Sequence, residues 1–329
     1  MKSFLQGKRV VFISVESFNI EELLVSGLKS LGAEVLRFNE RPDNLNITKA
    51  AIRFNKELVA NKLQKHYDWI LSQTLAFEPS FIFVLKGETV SKLFLNSVKR
   101  SLPKCKLIFY NADSFKNNPN PEELIPLFDS VFTFDREDSI RLGLRYLPLF
   151  YEDSYIESQV PKDLKFSFIG TVHTDRLKIV EGVKAQISPK TFFLHYYSHG
   201  LLHLLFQFLT SVKIPVKSIP NIKFNQLNLE DVKDVFKRTE IVVDIQHPNQ
   251  SGLTMRTIQV LGAGCKLITT NKHIVHHDFY NSTNIFIIDR RDPKISQEFI
   301  SKPYQSIDPK ILKKYTLTSW LRTIFDLEK

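Results

Sequence analysis

The stretch EIVVDIQHPNQSGLTMRTIQVLGAGCKLITTN, residues 240–271, contains one complete unit of an α/β fold. Its first six residues form an apolar run typical of a buried strand, and TIQVLGAGCKLITT predicts a helix, a glycine turn and a second buried strand. The polar segment HPNQSGLTMR, residues 247–256, connects the two parts. Open α/β sheets bind ligands in loops at the carboxyl ends of their strands, so we expect this segment to be functional.

The rest of the chain repeats this alternation of strands and helices. Apolar runs such as RVVFISV, SFIFVLK and KLIFYNAD predict strands in the first half, and KFSFIGTV, TFFLHYYS and NIFIID predict strands in the second. Predicted helices lie between them, including residues 19–32 and a long helix that ends near His66. Near-continuous apolar strands favour parallel sheets that are covered on both faces.

A change of pattern at Pro148 and Pro161 marks a domain boundary. We therefore predict an α/β protein with two Rossmann-like domains, residues 1–155 and 156–310, that face each other across a cleft. Residues 311–329 follow as a C-terminal helix. This helix either packs its apolar side on the core or, given its Lys and Trp residues, lies at a membrane surface. The apolar side consists of Leu317, Trp320, Leu321, Ile324 and Phe325.

Composition narrows the class of protein. The chain has 329 residues, of which 43% are hydrophobic and 24% charged, as in soluble globular proteins. The formal net charge of +10 favours an anionic partner (a phosphate-bearing ligand, an acidic membrane surface or a nucleic acid), unless it reflects only a lysine-rich composition. No apolar stretch approaches the ~20 residues of a membrane span, and the N-terminus lacks signal-peptide features. Cys105 and Cys265 lack metal-ligand spacing, which suits reduced thiols, so we expect a cytoplasmic protein.

The start of the helix after residue 250 has the residues of an anion site. Free backbone N–H groups at a helix start carry a partial positive charge. Ser251 or Thr254 can cap this helix, Gly252 lets an anion approach the backbone, and Arg256 adds a permanent charge. The alternative is an ordinary capped helix whose arginine faces solvent.

A second segment, FIGTVHTDR at residues 168–176, has the same design. It runs from a strand through a glycine turn into a helix, with Arg176 in the first turn. An arginine at a helix start is disfavoured by the helix dipole. Its presence there is explained if it binds a nearby anion or forms an ion pair with an interdomain carboxylate. His173 and His247 flank the two segments and either contact a phosphate or sugar or are surface residues.

These residues resemble a known family. SGLTMRTIQVLGAGCKLITTN resembles the donor-binding element of GT-B glycosyltransferases. FIFVLKGET, KLIFYNADS, LFDSVFTFD and RYLPLFYEDSY, in that order, resemble the spore-maturation and polysaccharide (capsule, lipopolysaccharide) biosynthesis branch of these enzymes. KFSFIGTVHTDR resembles the start of their second domain.

The resemblance implies transfer of a sugar from a nucleotide-sugar donor to a glycan or glycolipid acceptor in cell-surface polysaccharide biosynthesis. The donor would be a substrate held by the second domain, with no cofactor and no metal, since the family binds diphosphate with helix ends and cations. Family chains commonly end with a helix that crosses back to the first domain, so we expect this of residues 311–329. Membrane contact would then be weak and come from dispersed Lys and Arg.

The resemblance also implies the donor-binding residues. Gln259 stands where the family often has a ribose-binding Glu, and Ser251 stands where many retaining members have the other Glu of a pair. An amide can still hydrogen-bond a ribose. The expected donor-binding residues are Gly170, Thr171, His173, Arg176, His247, Gln250, Ser251, Gly252, Leu253, Thr254, Arg256 and Gln259.

Inversion of configuration would require a general base at a strand end. We expect Asp113 first, Glu16 second and Glu88 third, although carboxylates in such positions are commonly caps or turn residues. Because both family Glu residues are missing, a non-catalytic nucleotide-sugar-binding subunit is the alternative. A nicotinamide dehydrogenase is disfavoured because no G-x-G-x-x-G follows the first strand, and nucleic-acid binding because no basic stripe interleaved with aromatics is evident.

Overall fold

A computed structural model describes residues 3–16, 20–45, 48, 51–52, 56–155, 160–187, 191–209, 214–248 and 250–326. The predicted helix start at Asn19, residues 156–159 of the predicted boundary and residues 327–329 of the predicted C-terminal helix lie outside these ranges. The chain forms two compact units. Unit 1 comprises Met1–Pro148 and Trp320–Lys329, and unit 2 comprises Leu149–Ser319.

Unit 1 contains a parallel six-stranded sheet with the strand order β2-β1-β3-β4-β5-β6. The middle strands are buried along most of their length because their residues are almost continuously apolar. The strands are β1 Arg9–Ser14, β2 Glu34–Asn39, β3 Phe81–Leu85, β4 Lys106–Asn111, β5 Ser130–Thr133 and β6 Arg145–Tyr146. The described helices are α1 Ile20–Ser30, α2 Ala60–Phe77, α3 Lys92–Ser101 and α4 Arg136–Leu142.

Unit 2 contains a second parallel six-stranded sheet, ordered β12-β11-β10-β7-β8-β9. Its strands are β7 Leu164–Thr171, β8 Phe192–Tyr197, β9 Ile222–Lys223, β10 Thr239–Asp244, β11 Lys266–Thr269 and β12 Ile285–Ile287. The described helices are α5 Arg176–Lys184, α6 Leu201–Leu209, α7 Leu229–Lys237, α8 Met255–Gly262, α9 Gln297–Ser301 and α10 Pro309–Lys314. The last helix, α11 Leu317–Phe325, starts in unit 2, and its residues from Trp320 onward belong to unit 1.

The predicted α/β class with two Rossmann-like sheets is confirmed. In each sheet the first strand of the unit is an inner strand. The next strands in sequence lie on one side of it, and the later strands lie on its other side. The strand order therefore reverses between β1 and β3 in unit 1 and between β7 and β10 in unit 2. Such reversal points leave a crevice at the carboxyl ends of the strands, which is where this class of sheet binds ligands.

Two predicted helices differ in the structure. α2 does not end near His66 but continues to Phe77, because Tyr67, Ile70 and Thr74 keep its buried side at helical spacing. The segment ELIPLFD, residues 123–129, is also predicted as a helix from its sequence, but the structure has only a short 3₁₀ helix there, Glu122–Leu127, with Pro126 inside it. Proline lacks the N–H that an α-helix would use at that position.

The C-terminal segment forms two helices, α10 and α11, where the sequence predicted one. The break occurs because the Tyr151 N–H donates to the Tyr315 carbonyl (2.9 Å) and the Leu317 N–H donates to the Tyr151 carbonyl (2.8 Å). In α11 the Trp320 ring lies 4.8 Å from the ring of Tyr110 in unit 1. All five apolar side chains named for this helix are buried.

The described residues also show the state of the cysteines and the character of the helices. Cys105 and Cys265 are buried free thiols. No described helix has the length and apolar character needed to cross a membrane.

Candidate functional site

The carboxyl edge of β7 and β10 brings the two predicted anion segments together. β7 and β10 are neighbours in the sheet of unit 2 and flank its reversal point. The loop after β7 leads into α5 at Arg176, and the loop after β10 leads into α8 at Met255. Two helix starts therefore follow adjacent strand ends at the position where this fold binds ligands.

A carboxylate at the end of β10 positions the start of α8. One oxygen of Asp244 accepts hydrogen bonds from the hydroxyls of Thr254 (2.5 Å) and Thr257 (2.6 Å). Thr254 is the N-cap, and its hydroxyl accepts from the Thr257 N–H at 3.2 Å. Of the two capping residues that the sequence offered, the helix uses Thr254 rather than Ser251.

The loop before α8 is tied down by side-chain amides. Asn271, at the end of the next strand, donates to the carbonyls of Ser251 (3.0 Å) and Gly252 (3.2 Å). The amide of Gln250 donates to the Gly252 carbonyl at 2.9 Å. Leu253 is 1% exposed and anchors the loop in the core. The backbone at Ser251 and Gly252 is therefore held in a fixed position.

Arg256 lies in the first turn of α8. It is partly buried, and burial lowers the pKa of its guanidinium, against the attraction of Asp244. Among the described residues no hydrogen-bond or ion-pair partner of the Arg256 side chain is found, whereas Arg176 and Arg290 both have partners. A partly buried cation with open donors favours an anionic ligand.

Arg176 joins the two strand ends. Its Nε donates to the Ile245 carbonyl (2.8 Å) and its Nη1 donates to the Thr171 carbonyl (3.0 Å). Gly170 leaves room for this side chain, since a Cβ there would lie 3.2 Å from Arg176 Nη1 and 2.7 Å from the Phe168 ring. Burial lowers the pKa of Arg176 to about 10, so it remains charged at neutral pH. Both of these bonds go to strand-end carbonyls, a role of Arg176 that the sequence did not suggest.

The third cation, Arg290, was not among the residues predicted from the sequence. It follows β12 and forms a two-pronged ion pair with Asp175 (2.7 and 3.1 Å). It also donates to the Gln246 carbonyl (3.1 Å) and the Thr270 hydroxyl (2.9 Å). Mutual repulsion among Arg176, Arg256 and Arg290 contributes to the lowered pKa of Arg176. The segment DRRDP after an apolar run was the available signal.

His173 and His247 lie side by side, with ring centres 5.7 Å apart. His173 Nδ1 is 3.0 Å from the Thr174 hydroxyl, and Thr174 has a φ of +48°, which is uncommon for a β-branched residue. Burial and then the charge of Arg176 lower the pKa of His173 to about 3. His173 is therefore neutral at physiological pH and can act as a hydrogen-bonding group there.

Gln259 is 4% exposed in α8, and its side-chain carbonyl oxygen has no hydrogen-bond partner among the described residues. A buried polar atom without a partner costs stability and is uncommon in native structures. The Gln259 oxygen is therefore a buried acceptor that no described residue satisfies.

The three predicted carboxylates of unit 1 follow the carboxyl ends of β1, β3 and β4, which are neighbours in its sheet. Glu16 is exposed and accepts a hydrogen bond from Asn44. Glu88 is buried in an ion pair with Arg41 at 2.5 and 3.1 Å. Asp113 is partly buried and accepts from the Ser114 N–H (2.9 Å) and the Asn117 amide (3.3 Å).

A fourth carboxylate at the same edge, Glu40, was missed. It follows β2, is fully buried, and accepts hydrogen bonds from the N–H groups of Gly87 (2.8 Å) and Thr89 (3.0 Å). Burial raises the pKa of Glu40 to about 7. Both of its oxygens are engaged by the loop after β3, so it holds that loop in place. No group of three or more His, Cys, Asp or Glu that could hold a metal ion occurs among the described residues.

Comparison with known proteins identifies the architecture. No protein-family model and no curated protein matches the chain. A solved glycosyltransferase involved in avilamycin A biosynthesis matches with a TM-score of 0.60 at 10% identity, covering 97% of this chain and 96% of that one. A glycosyltransferase from Rickettsia africae ESF-5 matches with a TM-score of 0.57 at 12% identity, covering 96% and 97%.

An epimerase matches equally well. The UDP-GlcNAc 2-epimerase of Methanocaldococcus jannaschii, solved in complex with UDP-GlcNAc and UDP, gives a TM-score of 0.56 at 12% identity, covering 98% of this chain and 99% of that one. The chain has the GT-B fold. At these identities the likeness establishes the architecture, and the chemistry has to be argued from the residues.

Proposed function

We propose that this protein is a glycosyltransferase that binds a nucleotide-sugar on unit 2 and transfers its sugar to a glycan or glycolipid. One observation carries the proposal. Arg176, Arg256 and Arg290 crowd at the carboxyl ends of β7 and β10, and Arg256 has no hydrogen-bond or ion-pair partner among the described residues. Like charges that repel one another in a partly buried site favour a multiply charged anion.

A diphosphate fits the chemistry of this site. Asp175 is paired with Arg290, and Asp244 is held by two threonine hydroxyls, so neither carboxylate forms an ion pair with Arg256. The N–H groups at the start of α8 add a partial positive charge. Arg256 and this helix start would bind the phosphates, and Gln259 would offer its free oxygen to a ribose hydroxyl.

The same groups suit the departure of a nucleoside diphosphate. Negative charge grows on the phosphate oxygens as the bond to the sugar breaks, and fixed cations and N–H dipoles stabilise that charge without reorganising. His173, neutral at physiological pH, can hydrogen-bond a phosphate or sugar oxygen. We propose that no metal takes part, and that a unit 1 carboxylate, Asp113 first, removes the acceptor proton.

The wider role is proposed on the resemblance of the first-half sequence runs to polysaccharide-biosynthesis enzymes. The acceptor would belong to a cell-surface polysaccharide such as a capsule or lipopolysaccharide, made on the cytoplasmic side. The epimerase match supports a second candidate, a UDP-sugar epimerase, because that neighbour was solved with UDP-GlcNAc and UDP and covers 98% of this chain. A non-catalytic nucleotide-sugar-binding subunit is the third outcome to test.

The test begins with thermal shifts against UDP, GDP, CMP, TDP and ADP. A ligand that binds only the folded state stabilises it by about 2.7 kcal/mol at one hundred times its Kd. The matching nucleotide-sugars are then incubated with the protein, with and without glycan acceptors and with excess chelator. Acceptor-dependent release of nucleotide with formation of a glycoside supports the proposal. Conversion to an epimer without acceptor identifies an epimerase, and binding without turnover identifies a non-catalytic subunit.

A further inference from the structure

Exposed apolar side chains are concentrated in one stretch of the sequence of unit 2. Six of the fourteen exposed large hydrophobic residues in the described chain fall within residues 201–224. Exposed apolar residues scattered singly are ordinary, but a concentration of this kind usually marks an interaction site. We refer to these six residues as the 201–224 surface. They are Leu201 (61% exposed), Leu205 (50%), Leu209 (82%), Val216 (81%), Ile219 (54%) and Phe224 (52%).

The elements that carry this surface are folded and anchored from within. Leu201, Leu205 and Leu209 are four residues apart in α6 and therefore share one face of that helix. On the inward side of the same segment, Leu204 and Ile222 pack against one core cluster of unit 2. The exposed leucines thus belong to a helix whose other side already contributes to the core.

The charge of this segment indicates the partner. Between Glu181 and Glu230 the sequence has no acidic residue and contains five lysines. Lys217 and Lys223 are exposed beside the apolar residues. Lys217 forms a long ion pair with Glu181 at 3.8 Å, and the Glu181 side chain is only 3% exposed whereas that of Lys217 is 59% exposed. An exposed apolar stripe with lysines and no exposed carboxylate of its own complements the interface of an anionic bilayer.

We propose that the 201–224 surface docks on an anionic lipid bilayer, with its apolar side chains in the headgroup region and Lys217 and Lys223 contacting lipid phosphates. A second copy of the chain is a poorer partner. In a symmetric dimer the same surface would face itself and bring lysines against lysines. Docking of this surface does not depend on glycosyl transfer. Membrane contact would come from this one surface and not, as expected from the sequence, from dispersed Lys and Arg.

Vesicle flotation of the full chain tests this proposal. The vesicles contain phosphatidylcholine alone or with about 30% phosphatidylglycerol, at salt concentrations of about 0.05 and 0.5 M. We expect binding only to the anionic vesicles, weakened by salt. Leu209→Glu and Val216→Glu should each lower the partition coefficient by about tenfold or more. Each substitution removes an apolar group that the bilayer would bury and adds a negative charge that the anionic lipids repel. Lys223→Glu should lower it by at least about fivefold.

Matched controls come from unit 1. Ile140→Glu changes an equally exposed apolar residue (74%) in α4, and Lys65→Glu changes an exposed lysine in α2. Both controls should bind vesicles as the wild type does, and all variants should keep the wild-type melting temperature because the positions are exposed. Absence of wild-type binding at low salt overturns the proposal, as does an equal loss in the controls. A wild-type dimer that Leu209→Glu and Val216→Glu convert to monomers would assign the surface to a second copy instead.

Discussion

Arg290 and Asp175 form a two-pronged ion pair at 2.7 and 3.1 Å that links the segment after β12 to the start of α5. The pair neutralises the carboxylate at that helix start. Arg176 is bound to the carbonyls of Thr171 and Ile245. Arg256 is therefore the member of the three arginines whose donors are not used by another described residue, and it should contribute most to anion affinity.

Replacing Arg256 tests this inference directly. Arg256→Ala should weaken nucleoside diphosphate binding by about 1.5–3 kcal/mol, roughly tenfold to a hundredfold, because a charge-assisted hydrogen bond is lost. Affinity for the free nucleoside should change much less. Calorimetry measures both constants. Arg291→Ala, at an exposed arginine near the same edge, is the matched control and should bind as the wild type does. Equal diphosphate affinities before and after Arg256→Ala would remove this residue from the site.

The carboxylates of unit 1 should separate into catalytic and structural groups. If Asp113 is the general base, Asp113→Asn should lower turnover by about 10²–10⁴ while donor affinity and melting temperature stay near wild type. Glu88→Gln should instead destabilise the protein by about 3–5 kcal/mol, because the buried Arg41 loses its counter-ion. Glu16→Gln, at an exposed position, is the control for stability. Full turnover in Asp113→Asn together with a large loss in Glu16→Gln would transfer the role to Glu16.

The sequence predicted those parts of the fold that local pattern determines. The apolar strands depend on neighbouring residues, so periodicity reveals them, and side-chain chemistry narrowed the cap of α8 to Ser251 or Thr254, of which the helix uses Thr254. The predicted end of α2 near His66 was wrong, because the buried side of the helix continues through Tyr67 and Ile70 to Phe77. Local signals of this kind are easily outweighed by packing.

Contacts between distant residues set the remaining features of the site. Arg290 and Asp175 are 115 positions apart, and Glu40 meets Gly87 and Thr89 across a gap of more than 45 residues. Such pairs form only when the sheet has assembled, so they cannot be predicted from a local sequence pattern. The break between α10 and α11 likewise depends on Tyr151, far away in the sequence. One sequence without an alignment carries no signal for these pairings.

The lowered pKa of His173 predicts a pH-dependent stability. The native pKa is about 3, below the ordinary 6.5, so between these values the unfolded chain binds a proton that the native chain does not. Stability should therefore fall as pH decreases from 6.5 towards 3, with a slope of at most about 1.4 kcal/mol per pH unit from this group. His173→Asn should remove that contribution. Urea unfolding between about pH 7 and pH 5 measures the difference.

A matched histidine separates this effect from general titration. His276→Asn changes an exposed histidine and should leave the slope of stability against pH as in the wild type. Parallel curves for wild type and His173→Asn would show that His173 titrates normally in the folded protein. Bound diphosphate should reduce the wild-type slope, because a nearby anion favours protonation of His173.

The two tryptophans of the chain allow a controlled test of how α11 is held. Trp320 is 2% exposed, and its ring lies 4.8 Å from Tyr110 and 6.2 Å from Phe83. Trp320→Ala should therefore cost about 3–5 kcal/mol of unfolding free energy, as expected for a large aromatic removed from a packed core. Trp69 is 52% exposed, and Trp69→Ala should cost about 1 kcal/mol or less. Chemical denaturation of both variants measures the difference. Similar costs for the two substitutions would mean that α11 is only loosely attached to unit 1 and contributes little to its core.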